Sequence, residues 1–327
     1  MTRVNRNEVG EFGEQRRSRR YNSGRFETDL QRGQVTRDLN FKQRISKRES
    51  GIMTVSRKEV VTIPPTTTVM GAAKTMVGYN YRRLPVADPG TKRIEGICTV
   101  IDFIDYLGGG DKRAIIERKY DGNMILAINA PVTEIMQYDV VTVSDESSLE
   151  DAVSLMISRS VGGLPVIDEE RRIVGILTER DVVRIMGDAV IGRKVGDIMS
   201  KRVTTAPPDM TIEEAARMMV SSDFRRLPVT AGNLVCGIIT ATDIMRYLGS
   251  GDAFRKLVTG NVHEAMGAPI SSIMKTDILT IKSDEDLGGV AQIMARNRIG
   301  CMPVIDSSGL AGIVTEHDIV MSLKEAV

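Results

Sequence analysis

The sequence predicts an α/β (α+β) fold: four β-α-β-β-α repeats in two tandem pairs, preceded by a flexible basic arm over residues 1–50. Three observations carry this reading. The motif Gly-x-x-Thr-x-x-Asp occurs four times, as "GICTVID" from Gly96, "GILTERD" from Gly175, "GIITATD" from Gly237 and "GIVTEHD" from Gly312. Ahead of each copy lies a segment with one apolar helical face. The differences between copies alternate along the chain, which marks a duplicated pair.

Each repeat opens on a short strand, "VVTIPP", "VVTVSD", "VTTAPP" or "ILTIKS". A helix follows, because apolar residues recur at i, i+3, i+4 and i+7: Val69, Ala72, Ala73, Met76; Leu149, Ala152, Val153, Met156; Ile212, Ala215, Ala216, Met219; Leu287, Val290, Ala291, Met294. The next strand carries a proline, in "RRLPVAD", "GGLPVID", "RRLPVTA" and "GCMPVID". Lacking an amide donor, that proline suits a strand start or an edge. A polar turn, a second apolar strand ending in the motif, and helical spacing in stretches such as "ERDVVRIM" and "ATDIMRYL" complete the unit.

Copies one and three share "RRLPV" and a glycine-rich end, "DYLGGGD" or "RYLGSGD"; copies two and four share "PVID" and "GILTERDVV" or "GIVTEHDIV". The units are therefore residues 51–191, with repeats at about 51–110 and 132–188, and residues 192–327, with repeats at about 195–250 and 270–325. A repeat of ~55 residues alone has a marginal core, so each pair is expected to fold together, sheet against sheet.

At 42% hydrophobic and 27% charged, the 327-residue chain has material for a sizeable core. Aromatics are 4% with no tryptophan, which leaves little for a base-stacking platform. No apolar run approaches the ~20 residues that span a bilayer, and the start, "MTRVNRNEVGEFG", lacks the apolar middle of a signal peptide, so a cytoplasmic protein is expected. Cys98, Cys236 and Cys301 sit among apolar residues without metal-ligand spacing and read as buried, reduced thiols. Residues 1–50 carry a net charge of +6 and the remainder −5. The arm reads as a solubilising or docking tail, or as a contact for nucleic acid or an acidic partner.

With "EIM", "DIM" or "SIM" ahead of the first strand, "LPV" or "MPV" on the second, and the motif closing the third, the unit resembles a CBS domain. Two together resemble a Bateman module. The whole, over about residues 51–325, resembles stand-alone prokaryotic four-repeat proteins and the gamma subunit of AMP-activated protein kinase. The resemblance implies a non-catalytic regulatory sensor that binds AMP, ADP or ATP between paired repeats and passes occupancy to a protein partner. It also implies S-adenosylmethionine as an alternative ligand, and association of two modules into a flat disk within one chain or between two.

The threonine and aspartate of the motif have two readings. Thr-x-x-Asp before an apolar helix is a capping box. Yet the pairs ahead of the first helices vary, Thr68 with Gly71, Ser148 with Asp151, Thr211 with Glu214 and Ser283 with Asp286, whereas Thr99–Asp102, Thr178–Asp181, Thr240–Asp243 and Thr315–Asp318 do not. A carboxylate at fixed reach suits the two hydroxyls of a ribose, so Asp102, Asp181, Asp243 and Asp318 are candidate ribose acceptors. The motif glycine would let a ligand or a neighbouring strand come close.

Phosphate would take donors from Thr99, Thr178, Thr240 and Thr315 and charge from arginines before "LPV". Arg82, Arg83, Arg225 and Arg226 are the candidates, and the resemblance singles out Arg83 and Arg226. Copies two and four instead show Gly162 and Gly163, or Gly300 and Cys301, so the four clefts are not expected to be equivalent. Adenine would lie near Thr62, Thr142, Thr205 and Thr280 and the "PV" segments, although threonines there are equally ordinary strand formers. No catalytic or metal motif is present, and His263 and His317 lack convincing partners in sequence.

Overall fold

The computed structural model describes residues 51–187, 192–253 and 261–325, so the arm expected over 1–50 lies outside the described residues. Copy one comprises α1 (Val69–Tyr79), β1 (Arg83–Ala87), β2 (Ile94–Thr99) and α2 (Val100–Gly108). A linker with α3 (Arg113–Tyr120) and α4 (Met124–Ile128) leads to copy two: β3 (Val143–Ser144), α5 (Leu149–Arg159), β4 (Gly163–Ile167), β5 (Ile173–Thr178) and α6 (Glu179–Met186). After α7 (Val195–Ile198), copy three has α8 (Ile212–Ser221), β6 (Arg226–Ala231), β7 (Leu234–Thr240) and α9 (Ala241–Gly249). After α10 (Val262–Met266), copy four has α11 (Leu287–Asn297), β8 (Cys301–Asp306), β9 (Gly309–Thr315) and α12 (Glu316–Met321).

The apolar face predicted for each first helix is buried throughout. Thr68, Ser148 and Thr211 cap α1, α5 and α8 through their side chains, as their spacing predicts. The fourth differs: Asp286 is itself the N-cap of α11 and accepts from the amides of Gly288 and Gly289, so Ser283 lies outside that helix.

Two expectations about strands need correction. Only copy two forms the first strand, β3, which pairs parallel with β4; copies one, three and four keep a single bridge at Ile63, Ala206 and Ile281. In copy two the amide of Asp145 continues the ladder to the Ile167 carbonyl. The corresponding residues in copies one and three are Pro65 and Pro208, which have no amide to give. Nor is the motif proline confined to an edge: Pro165 sits inside β4, the middle strand of β3-β4-β5, whereas Pro85, Pro228 and Pro303 lie in two-stranded sheets. In copy one the Pro85 carbonyl accepts from Ile63 and the Ala87 amide returns to the Ile63 carbonyl. The missing Pro85 amide therefore falls on that same side, one rung before pairing begins, where no bond is lost.

Within each pair the copies exchange short segments. Ile97 and Gln137 trade backbone hydrogen bonds, as do Ile176 and Arg57, Ile238 and Lys275, and Ile313 and Ser200. This exchange explains the motif glycine. A Cβ at Gly96 would stand 2.7 Å from the Met136 sulfur and 2.9 Å from the Gln137 carbonyl, and one at Gly237 would stand 2.8 Å from the Lys275 carbonyl. The close neighbour is the partner copy's "Ile-Met" segment rather than a ligand.

Between pairs, helices pack: α2 against α8, α9 against α1 and α2, α6 against α11 and α12. The two large apolar clusters accordingly join copy one with copy three and copy two with copy four. Only a small cluster around Ala87, Ile94 and Ile173 lies between the hairpins of the first pair. Methionines and alanines such as Met76, Ala216, Met245 and Met294 fill much of these cores, and Phe103, Tyr106 and Tyr247 are the aromatics buried in the first. Among the described residues no helix is long and apolar enough to cross a membrane.

Candidate functional site

The four motif aspartates share one job and differ in another. In every copy the aspartate Oδ2 accepts from the backbone amide of its threonine, at 2.7 to 3.0 Å, and from the threonine hydroxyl, at 2.5 to 2.8 Å. Each pair is a capping box on α2, α6, α9 or α12. A carboxylate offers about four acceptor positions, so the cap uses those of Oδ2 and leaves Oδ1.

Oδ1 separates the copies. Asp102, 2% exposed, accepts there from Lys112 Nζ at 2.5 Å and from Gln137 Nε2 at 3.2 Å. Asp243, 4% exposed, faces Arg246 Nη1 at 3.1 Å and Lys275 Nζ at 3.3 Å. Both carboxylates are thus filled by the chain's own side chains. Asp181 has only Arg184 at 3.7 Å, and Asp318 Oδ1 has no partner among the described residues. Burial pushes the Asp318 carboxyl above the usual range, against its two threonine bonds and the charges of His317 and Arg226.

Two adjoining cavities lie beside these motifs, and of the four aspartates Asp181 alone lines one of them, while Asp102, Asp243 and Asp318 line neither. A cavity of about 580 Å³ runs from Val60, Val61, Tyr81 and Pro85 on copy one to Ile176, Thr178 and Asp181 on copy two. A central cavity of about 480 Å³ is lined by all four copies. They share Asn80, Arg82, Arg83, Gly162, Arg180 and Arg298. The central lining includes eight cationic side chains, adding Arg225, Arg226, Arg246 and Lys275 to those four arginines, against the carboxylates of Asp139, Asp223 and Asp277. Both volumes lie in the range of ligand pockets, ~300–1,000 Å³.

The arginines are held by the glycines of the other copies. A Cβ at Gly163 would fall 1.6 Å from Arg83 Nη1, and one at Gly162 within 2.9 Å of Arg83 and Arg225. Gly300 likewise makes room for Arg82, and its carbonyl accepts from Arg226 Nη1 at 2.5 Å. Arg83 Nη1 is buried without a hydrogen-bond partner. Burial and the neighbouring charge of Arg225 bring its pKa down to about 10, so it stays cationic at neutral pH.

Of the residues predicted from sequence, Thr178 and Asp181 line the outer cavity with Arg83, and Thr99 and Thr240 line the central one with Arg83 and Arg226. Thr315 serves its cap beside Asp318. Thr62, Thr142, Thr205 and Thr280 line neither cavity; Val60, Val61, Val140, Val141, Ile278 and Leu279 do so instead. The sequence reading also missed Tyr81, which stacks on Tyr79 at 5.4 Å between ring centres and receives a hydrogen bond from Arg57 at 3.0 Å. A signal existed: in a chain with few aromatics, the odd copies place Tyr81 and Phe224 just before "RRLPV". His263 bonds Glu213 and Arg113, and His317 bonds Glu179. Cys98 is buried as expected, but Cys236 and Cys301 are only partly so, and Cys301 lines the central cavity.

Comparison with known proteins places the whole repeat array. The family model for the CBS domain matches residues 52–109, 132–188, 195–250 and 270–325. Protein MJ1225 of Methanocaldococcus jannaschii is 39% identical over 265 residues, covering 80% of this chain and 95% of its own length. Its crystal structure, described as that of a candidate archaeal homologue of γ-AMPK, superposes with a TM-score of 0.80 over 84% of this chain and 99% of that one. A 33.4 kDa protein in the ribosomal RNA operon of Thermofilum pendens is 30% identical over 83% of this chain and 92% of its own. With four matched copies in register with the four structural repeats, the chain belongs to the CBS domain family.

Proposed function

We propose that the chain is a regulatory sensor of adenine nucleotides, AMP, ADP or ATP, binding them at the Asp181 and Asp318 clefts. The observation that carries this is the alternation at Oδ1: Lys112 and Lys275 occupy Asp102 and Asp243, while Asp181 and Asp318 stand open. Asp181 lines a cavity whose walls combine apolar residues such as Val60, Val61 and Ile176, suited to a base, with arginines, suited to phosphate. Six arginines around that cavity favour a phosphate ester over the cationic sulfonium of S-adenosylmethionine. The likeness to MJ1225, a candidate homologue of γ-AMPK, supports the same reading. Occupancy would be passed to a protein partner by shifting how the paired copies sit, which requires unequal affinity for the two arrangements.

Calorimetric titration of AMP into four single variants tests this. Asp181→Ala and Asp318→Ala should each weaken one site by about 1.5–3 kcal/mol, roughly 10- to 160-fold. Asp102→Ala and Asp243→Ala should leave AMP affinity unchanged. The assignment fails if the second set weakens binding and the first does not.

A further inference from the structure

Two buried carboxylates stand among the arginines of the Asp181 cavity. Glu179 and Glu316, at the starts of α6 and α12, are 5% and 2% exposed, and both line that cavity. Copies one and three place Val100 and Ala241 at the same helical position, so a helix start of this kind needs no carboxylate there. Each glutamate holds basic side chains of other copies. Glu316 accepts from Arg82 Nη1 at 2.7 Å and from Arg180 Nε at 2.9 Å. Glu179 is bonded to His317 Nδ1 at 2.8 Å and lies 3.9 Å from Arg225 Nη1. Burial pushes both carboxyls up, but these basic partners outweigh it and hold both below the ordinary glutamate value, so both are ionised at neutral pH.

These carboxylates offset much of the positive charge that a phosphate would meet. The cavity is lined by six arginines against four carboxylates, a net of +2. Arg82 and Arg180 are committed to Glu316, Arg57 bonds the Tyr81 hydroxyl, and Arg184 lies 3.7 Å from Asp181 itself. Arg83 differs, because its Nη1 is buried with no hydrogen-bond partner among the described residues. A phosphate monoester carries about −1.5 to −2 at pH 7. One phosphate group therefore matches both the net charge of the lining and the buried arginine nitrogen left unpaired. Further phosphates must either stand beside two buried carboxylates or draw Arg82 and Arg180 off Glu316, and a buried carboxylate stripped of its partners is strongly unfavourable. Selectivity of this kind is built by repulsion of the wrong ligand rather than by added contacts to the right one.

We propose that Glu179 and Glu316 are specificity-determining residues of the Asp181 cleft, setting it to a nucleoside monophosphate and against a triphosphate. The proposal rests on the assignment of nucleotide binding to Asp181 and names which nucleotide that cleft takes.

Calorimetric titration of the full chain with adenosine, AMP and ATP, without divalent cations, tests it, and the binding step to read is the one that Asp181→Ala weakens. AMP should bind there more tightly than either of the others. One extra negative charge about 10 Å from a buried carboxylate, at an effective dielectric of about 20, weakens binding roughly tenfold, so ATP should fall at least about tenfold below AMP. Glu316→Gln, which keeps the shape and removes the charge, should strengthen ATP more than AMP and narrow that ratio, and Glu179→Gln should act in the same direction. ATP binding more tightly than AMP, as a phosphate tail reaching the central arginines would give, overturns the selectivity while leaving the cleft in place. A ratio that both glutamine variants leave unchanged does the same. If Asp181→Ala weakens no step, the cleft assignment itself falls and the selectivity with it. The ligand series on the unaltered chain decides the preference even if the glutamine variants fail to fold.

Discussion

Replacing Lys112 by alanine removes the cation that fills Asp102, and its cost can be worked from the contacts. Lys112 Nζ lies 2.5 Å from Asp102 Oδ1 and 2.6 Å from the Ile135 carbonyl; the lysine side chain is 26% exposed and the aspartate 3%. Breaking a buried pair by deleting one member costs about 3–5 kcal/mol. Asp102 keeps Gln137 and the Thr99 donors, so the lower end applies, about 3 kcal/mol. For a folding unit of this size that lowers the Tm by about 6–12 °C. Lys275→Ala is the comparison. Its ammonium is 3.3 Å from Asp243, its side chain is 54% exposed, and Arg246 remains on the same oxygen. That loss should stay under about 1 kcal/mol, or roughly 4 °C at most. Thermal unfolding of both variants at neutral pH and one salt concentration decides it. A Lys112→Ala shift no larger than that of Lys275→Ala would refute the claim that Asp102 depends on its lysine.

Gly163→Ala puts a methyl group where Arg83 lies, 1.6 Å from Nη1, and should displace that guanidinium from the shared wall of the cavities. AMP affinity is then expected to fall about tenfold, ~1.4 kcal/mol, with adenosine affinity little changed; equal losses for both ligands would deny Arg83 a phosphate role. The His317–Glu179 contact predicts a pH window. The hydrogen bond to Glu179 raises the His317 pKa above its ordinary 6.5, so its contribution is full below 6.5 and is lost as pH rises through the raised value. Burial pushes Glu179 up, but the His317 bond and the charges of Arg225 and Arg83 outweigh it and hold the pKa at about 2. Its contribution is full above the ordinary 4.5 and is lost as pH falls toward 2. The Tm gap between the native chain and His317→Asn should therefore be widest between pH 4.5 and 6.5. A gap that stays flat up to pH 9 would deny the charged contact.

The repeats, helical faces and hairpins were legible because they rest on local periodicity, which survives drift between copies. The first strands were over-read, since "VVTIPP" and "VTTAPP" have strand composition while Pro65 and Pro208 remove the rung that would extend the ladder. Thr62, Thr142, Thr205 and Thr280 lie outside both cavities because the segments that carry them are mostly not strands, so strand alternation does not set which of their side chains face inward. Lys112 and Gln137 were invisible as partners of Asp102. Lys112 lies in the linker 10 residues on and Gln137 in the next copy 35 residues on, and only the folded chain brings them to the carboxylate. The glutamates were visible in "TERD" and "TEHD" against "TVID" and "TATD", but a charge at the first position of a helix reads as a dipole contact until it is seen to be buried.

Capping takes one oxygen of the motif carboxylate and the proposed ligand role would take the other, so the two readings that the sequence posed as rivals are compatible. Oδ2 closes the helix in all four copies, which is why threonine and aspartate stay fixed while the residues between them vary. Because that duty is structural, the motif alone cannot say which copies bind. The decision falls to whatever reaches Oδ1, and that is set outside the motif by Lys112, Gln137, Arg246 and Lys275. On the proposed ligand role, a duplicated chain can retire a site without touching its aspartate: a basic side chain from outside the motif fills the carboxylate and preserves the cap. The two copies whose Oδ1 lacks a lysine are those whose helices begin with Glu179 and Glu316, and both glutamates are bonded to basic side chains of other copies.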